Sequence, residues 1–526
     1  MKHLPLILIT ALVTISCTGG SSGNKRDATT TDSDSIQSAA PTFEQLQLPD
    51  TVFASAAAIS YRIDNEDTLP HPLLDFDDLY SGNANVLAFR KNLKRNADFG
   101  GHLQGTPDTI EVAWRFDTDI DTRETRFGTW MGGTGWSGQP LYMHWSEDDI
   151  RQFRASSPGL TEDFGDEEIM IGSLCTKIYF INYKTGKASR QPIDATNVIK
   201  GTMSLDPEYK NLYVGQGVPH ANPFGNMVID LLRHSRTRQF DRDPAAWRSW
   251  GAFDSSPIVA GGYLFWPGEN GSIYKYVRAR GDLQRISVLR YRVNGAAPGI
   301  ESSICVYRNY GYVGDNHGNI LCVNLNNMRP VWYYNNLDDT DGTIVCNEEN
   351  GTPYLYTACE VDKRGSHADC HFIKLNALNG ERIWDLAIPC HRFELPNKTL
   401  DGGMYATPLL GTGDAAGMIF ANICTNDKSG GSGSLHAIST SDGKIIYTVP
   451  YPIFAWSSPI AFHDEHDQMY IFTGDANGNV YLIRAITGEV ICRQHVANNF
   501  ESSPIAVGNT AIVGSRGNGI YKFIIR

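Results

Sequence analysis

The chain has 526 residues, with 45 Lys and Arg against 58 Asp and Glu, a formal net charge of −13, 11% aromatic residues and 51 Gly. A field of that sign repels polyanions and no basic run offsets it, so nucleic acid is excluded as an expected partner. The glycine and aromatic content suits many hairpins with broad packed faces, and speaks against a disordered chain or a helical bundle.

At the N-terminus, Lys2 and His3 precede an apolar run from Leu4 to Ile15. It is too short for a stable bilayer span and typical of a secretory signal. The run ends at Thr14-Ile15-Ser16-Cys17, which resembles a bacterial lipobox, although Thr14 stands where Leu is usual. Residues 1–16 are therefore expected to be a lipoprotein signal and Cys17 the lipidated residue. Residues 17–42, rich in Gly, Ser, Thr and Asp, read as a flexible tether that cannot support a core. No other segment approaches transmembrane length.

Residues 43–108 show no clean repeat and are expected to form an arm wrapping the main domain. From there a unit recurs. Its clearest copy has Ser457-Ser458-Pro459-Ile460, then Met469-Tyr470-Ile471-Phe472-Thr473-Gly474-Asp475, then Gly478-Asn479-Val480-Tyr481-Leu482-Ile483, then Gly488-Glu489-Val490-Ile491-Cys492. Short runs of β-branched and aromatic residues between Gly, Asn and Asp turns are the strand-and-hairpin signal. Equivalent starts fall at Pro140, Met203, Pro257, Ile304, Ile344, Pro408, Pro459 and Pro504, at irregular spacings that imply loop insertions in the larger units. The unit around Pro219 to Trp250 is the most blurred.

A four-stranded unit cannot bury both faces alone and must stack on copies of itself. The last copy, from Ser502-Ser503-Pro504-Ile505, stops at Arg526 before its fourth strand. Glu111-Val112-Ala113-Trp114-Arg115-Phe116-Asp117-Thr118 matches the fourth-strand pattern of Arg329–Tyr334 and Glu381–Leu386, and fits the missing slot. The expected fold is all-β, an eight-bladed β-propeller of four-stranded antiparallel blades over residues 109–526, closed by the strand near Trp114.

These Ser-Ser-Pro-Ile first strands, Gly-Asp-x-x-Gly-Asn-x-Tyr hairpins and Trp-containing fourth strands resemble the PQQ-like (quinoprotein-like) propeller repeats, over roughly residues 86–526. Within that superfamily, dehydrogenases hold pyrroloquinoline quinone on the axis, with an adjacent Cys-Cys pair, a stacking Trp and a Glu/Asn/Asp set around Ca²⁺. This sequence has no adjacent cysteines; Trp130, Trp136, Trp145, Trp266 and Trp456 read first as strand packing. Another branch, the propeller lipoproteins of outer-membrane β-barrel assembly, shares the lipidated N-terminus, tether and ring, and binds partners through loops on one face.

Among candidate sites, Asp254, Glu301 and Glu501 each precede a Ser-Ser pair, so repeat geometry puts them near one mouth of the central channel, where they can bind a cation or a basic partner segment. Asp315-Asn316-His317-Gly318-Asn319 and Asp475-Ala476-Asn477-Gly478-Asn479 lack the sixth-position Gly and twelfth-position Glu of an EF-hand loop and read as turns. His463-Asp464-Glu465-His466-Asp467 reads as a solvated loop. Cys359 and Cys370 flank a hairpin loop and form a candidate disulfide, since export permits one; the remaining thiols read as buried and inert. Outside the tether no Gly-x-Ser-x-Gly elbow, Walker loop or His-Glu-x-x-His occurs.

The resulting expectation is an exported propeller, lipid-anchored to the outer membrane and facing the periplasm, that acts as a non-catalytic scaffold for envelope proteins such as β-barrel assembly components, with no cofactor, no metal and no catalytic residue. A quinone- or metal-dependent oxidoreductase and a carbohydrate-binding propeller are the alternatives from other classes.

Overall fold

Each recurring unit becomes a four-stranded antiparallel sheet, and eight such sheets follow one another along the chain as propeller blades. The computed structural model describes residues 42–526 apart from 67–72, 74–75, 78, 81–83, 97 and 396–397. Cys17, the signal and nearly all of the tether lie outside the described residues. The innermost strands are Leu141–His144, Ser204–Asp206, Ile258–Ala260, Cys305–Tyr307, Val345–Glu349, Leu409–Leu410, Ile460–His463 and Ile505–Val507; we number blades 1 to 8 in that order. The blurred unit resolves into blade 2, with Asn226–Asp230 paired to Ser235–Gln239.

Closure occurs as the sequence requires. Ile110–Asp117 runs antiparallel to Gly519–Ile525, with Arg115 opposite Tyr521, so the chain's two ends share blade 8. Blade 3 gains a fifth strand, Ile59–Ile63, on its outer edge.

Two devices tie blade to blade, and both are written in the repeat. At four blade junctions the hydroxyl just ahead of the strand-opening residue accepts a backbone N–H from the preceding blade. Ser256 N–H donates to Ser303 Oγ at 2.8 Å, Ser303 to Thr343 Oγ1 at 2.9 Å, Thr407 to Ser458 Oγ at 2.9 Å and Ser458 to Ser503 Oγ at 3.2 Å. These bonds satisfy buried backbone donors near the axis. At the periphery, the fourth-strand aromatic of one blade donates to a carbonyl in the last hairpin turn of the next: Trp114 to Tyr183, Trp332 to Ala377 and Trp384 to Thr440, each at 3.0 Å. The ring then covers that turn's glycine, which has φ of +69° at Gly186 and +72° at Gly443.

The segment 86–103 does more than wrap. It bonds along the innermost strands: Val86 pairs with Tyr142, Leu205 and Val306 donate to the carbonyls of Leu87 and Leu93, Cys346 donates to Lys94, and Gly101–His102 lies parallel to Ile460–His463. Arg95 donates to Ile304, Phe89 and Ser256 carbonyls at 2.8, 2.6 and 3.2 Å, and Arg90 to Pro459 at 2.8 Å. Both guanidiniums are at most 1% exposed. Burial pushes them down to about 9 for Arg90 and about 10 for Arg95. The arm thus threads the ring and fills the channel with cations solvated by strand carbonyls.

Candidate functional site

Because every innermost strand starts at the same place on the axis, the residue four positions before the first residue of each innermost strand forms a ring. Going around it, the ring reads Ser137, Lys200, Asp254, Glu301, Asp341, Tyr405, Trp456 and Glu501. Lys200, Glu301, Asp341, Tyr405, Trp456 and Glu501 line one cavity of about 530 Å³, together with Trp130 and Trp136. An adjoining cavity of about 520 Å³ shares Trp130 and Lys200 and adds Phe127, Trp250 and Glu269. We call the two together the axial cup.

One wall is aromatic. Tyr405 stacks on Trp456 with ring centres 4.8 Å apart, and Trp136 meets Tyr405 edge-on while its indole N–H donates to the Tyr405 carbonyl at 3.0 Å. The other wall is acidic and falls into groups. Asp254, Glu269 and Glu301 each present an oxygen within 4.8 Å of the others, as do Asp339, Asp341 and Glu360. The Lys200 ammonium enters the first group, bonded to Asp254 and 3.8 Å from Glu301. Trp250 Nε1 donates to Glu269 Oε2 at 2.8 Å.

Crowding shows in the proton affinities. Burial, offset by Lys200 and reinforced by Asp254, pushes the Glu301 carboxyl up to about 7. Burial and the neighbouring carboxylates Glu301 and Asp254 also push Glu269 well up, with Lys200 opposing. Asp341 and Glu360 rise well above the usual carboxylate range for the same reasons, burial first and then Asp339.

The acidic-mouth residues are thus placed unequally. Asp254 and Glu301 come together, with Asp254 fully buried against Lys200. Glu501 stands elsewhere on the cup, its carboxylate accepting from Asn499 Nδ2 at 2.8 Å and paired with Arg516 at 3.1 Å. Asp341, Lys200, Tyr405 and Trp456 occupy the same repeat position, and register alone would have found them had it been followed past acidic residues. Glu269 could have been found too, since it follows the terminal glycine of a second strand as Asp315 and Asp475 do.

Those two aspartates bind turns. Asp475 accepts from the backbone of Asn477 and Asn479, from Asn479 Nδ2 and from Tyr481 OH. The His463 to Asp467 loop is less solvated than expected. His463 ends a strand, is 8% exposed and holds Thr412 Oγ1 at 2.8 Å, while Asp464 closes the turn by accepting from His466 and Gln468. Cys359 and Cys370 are buried free thiols, Cys370 Sγ donating to the Cys359 carbonyl at 3.0 Å.

Among the described residues, no helix is long and apolar enough to cross a membrane. No protein-family model and no curated protein matches the chain. Solved structures do. A europium-containing methanol dehydrogenase aligns at TM-score 0.58 and 11% identity, over 85% of this chain and 99% of that one. The quinohemoprotein alcohol dehydrogenase of Comamonas testosteroni aligns at 0.58 and 12%, over 85% and 81%. BamB from Moraxella catarrhalis aligns at 0.45 and 12%, over 79% and 98%. At these identities the likeness is one of fold, the β-propeller.

Proposed function

We propose that this eight-bladed quinoprotein-like propeller is a receptor in the cell envelope, held to a membrane by lipid on Cys17 through the 17–42 tether, and that it binds a basic segment of a partner protein in the axial cup without catalysing a reaction on it. The observation that carries this reading is the convergence of one residue from each of six blades on a cup with carboxylates on one side and stacked rings on the other. An arginine or lysine side chain entering there meets Glu301 and Glu501 as charge partners and Trp136, Tyr405 and Trp456 as cation–π faces, which are the groups that reward a cation losing its water. The partner class is envelope proteins, with outer-membrane β-barrel assembly components the leading candidates.

The test is recovery of partners from solubilised outer membranes by the full chain and by a variant carrying Glu301→Gln and Glu501→Gln. Partners retained by the first and lost by the second support the reading. An identical set recovered by both would overturn it.

A second reading draws on the group Asp254, Glu269 and Glu301 beside Trp250, a carboxylate set next to a flat ring in a fold shared with alcohol dehydrogenases. On that reading the cup would hold a quinone and a cation. Mixing the protein with pyrroloquinoline quinone and Ca²⁺ separates the two: bound-quinone absorbance together with dye-linked alcohol oxidation would replace the receptor by an oxidoreductase.

A further inference from the structure

We propose that Asp339, Asp341 and Glu360 form a binding site for a divalent cation of the size of Ca²⁺, set into blade 5 where its wall borders the axial cup. The site goes beyond the receptor reading and stands apart from the Lys200 group.

The separation of the donors fits. One oxygen from each of the three carboxylates lies within 4.8 Å of the other two. Three carboxylate oxygens that close together can share one divalent ion, and Ca²⁺, which takes oxygen ligands in flexible geometry, asks less of their exact placement than Mg²⁺, which demands a near-ideal octahedron and keeps its waters.

A second and independent sign is orphaned acceptors. Asp341 Oδ1, Glu360 Oε1 and Asp339 Oδ1 are buried and have no hydrogen-bond partner among the described residues. Asp341 is 9% exposed and Glu360 2%. Buried acceptors are ordinarily satisfied, and a buried carboxylate oxygen without a donor is costly unless something absent from the polypeptide meets it.

Charge separates this group from its neighbour. Among Asp254, Glu269 and Glu301 the Lys200 ammonium already occupies the middle ground. Here the cation within reach is Lys363, 3.1 Å from Asp339 but also paired with Asp362, with a side chain 47% exposed. Among the described residues neither Asp341 nor Glu360 forms a salt bridge.

The backbone is held in place without help from an ion. Asp338, next to the site, accepts the backbone N–H groups of Asp362, Lys363 and Arg364, and so ties the loop after Glu360 to the loop that carries Asp339 and Asp341. Glu360 N–H donates to the Asp339 carbonyl at 2.7 Å, and Glu360–Val361 pairs with Gly402–Gly403. Apart from the Asp339–Lys363 pair, the bonds that bring the carboxylates together are made by backbone groups and by Asp338.

The experiment is calorimetric titration of the chelator-treated full chain with CaCl₂ and, separately, MgCl₂, alongside thermal unfolding. We expect one Ca²⁺ site, a rise in Tm with Ca²⁺ and a weaker response to Mg²⁺. Asp341→Asn with Glu360→Gln should weaken Ca²⁺ binding by roughly 10-fold or more through loss of ligand charge. In chelator the same variant should melt above the unaltered protein, because it lacks the repulsion. Absence of Ca²⁺ heat and of any Tm response would overturn the proposal. So would Ca²⁺ binding that survives in the variant, which would put the ion in the Lys200 group. No peptide or membrane partner enters this titration, so its failure is separate from failure of the receptor reading.

Discussion

The ammonium of Lys200 shares a buried pocket with Asp254, Glu269 and Glu301, and its role can be read from what would follow its removal. Burial disfavours its charge, yet the attraction of Asp254, Glu301 and Glu269 outweighs that and holds its proton affinity above the usual lysine range. Replacing it by methionine keeps the stem and leaves the carboxylates facing one another. Breaking a buried pair from one side costs about 3–5 kcal/mol. We expect Lys200→Met to lose about that much in urea unfolding, and Lys200→Met with Asp254→Asn to recover part of it. Glu301 gives the matching pH prediction. Its carboxyl titrates near 7 in the fold against 4.5 when free, so between those values the folded chain binds more protons than the unfolded one. The stabilisation from this group is therefore complete below pH 4.5 and is lost as pH rises through about 7. Unfolding free energy measured across that window should fall more steeply for the native chain than for Glu301→Gln; equal slopes would show that Glu301 titrates normally.

At the scale of the blade, the fourth-strand aromatic and the glycine of the next blade's turn act as one clamp at four junctions, Trp114–Gly186, Trp332–Gly380, Trp384–Gly443 and Tyr447–Gly488. The turn needs positive φ, and the ring needs a partner with no Cβ. A Cβ at Gly443 would lie 2.8 Å from the Trp384 ring, whereas one at Gly351, also at positive φ, would meet nothing within 4 Å. Gly351→Ala should therefore cost only the left-handed strain, about 1–2 kcal/mol, while Gly443→Ala adds the displaced indole and should cost roughly twice that. Thermal melts of the two variants give the comparison. The elements themselves were legible because period-two alternation and Gly turns act within a blade, so the strands and even the missing fourth strand could be placed. The clamp was not, since it joins Trp384 to a turn one repeat later and sequence register does not say which face of a blade meets the next. The cup was half legible for a related reason. Asp254, Glu301 and Glu501 stand out as acids before Ser-Ser, whereas Lys200, Asp341, Tyr405 and Trp456 hold the same position in other chemical guises. Glu360 follows a strand in the blade with the most irregular insertions, where the register is hardest to keep.

For the molecule as a whole, closure by Ile110–Asp117 against Gly519–Ile525 leaves the channel to be filled, and the arm fills it with two arginines. Nothing in residues 86–103 announces that. The segment lacks a repeat, and arginine is among the residues least expected in a core. What permits it is the channel's own chemistry, because innermost strands turn carbonyls toward the axis and a guanidinium is a flat array of donors with no acceptor to satisfy. Arg95 is the stronger tie, reaching the carbonyls of Ile304 in blade 4 and Ser256 in blade 3 from a single side chain. Directly after it in space, the Lys94 carbonyl accepts from the Cys346 backbone N–H and from the Cys305 thiol. Both cysteines are fully buried. Arg95→Ala strands those strand carbonyls and removes the arm's anchor, so the arm should lift at lower free energy than the ring unfolds. Thiol labelling followed by peptide mapping reads this directly. Cys305 and Cys346 should react faster in the variant, by about 10-fold or more for a loss of about 1.4 kcal/mol or more, while Cys322, in the third strand of blade 4 and not on an innermost strand, keeps its rate. Equal acceleration at all three cysteines would mean that the arm and the ring open as one cooperative unit.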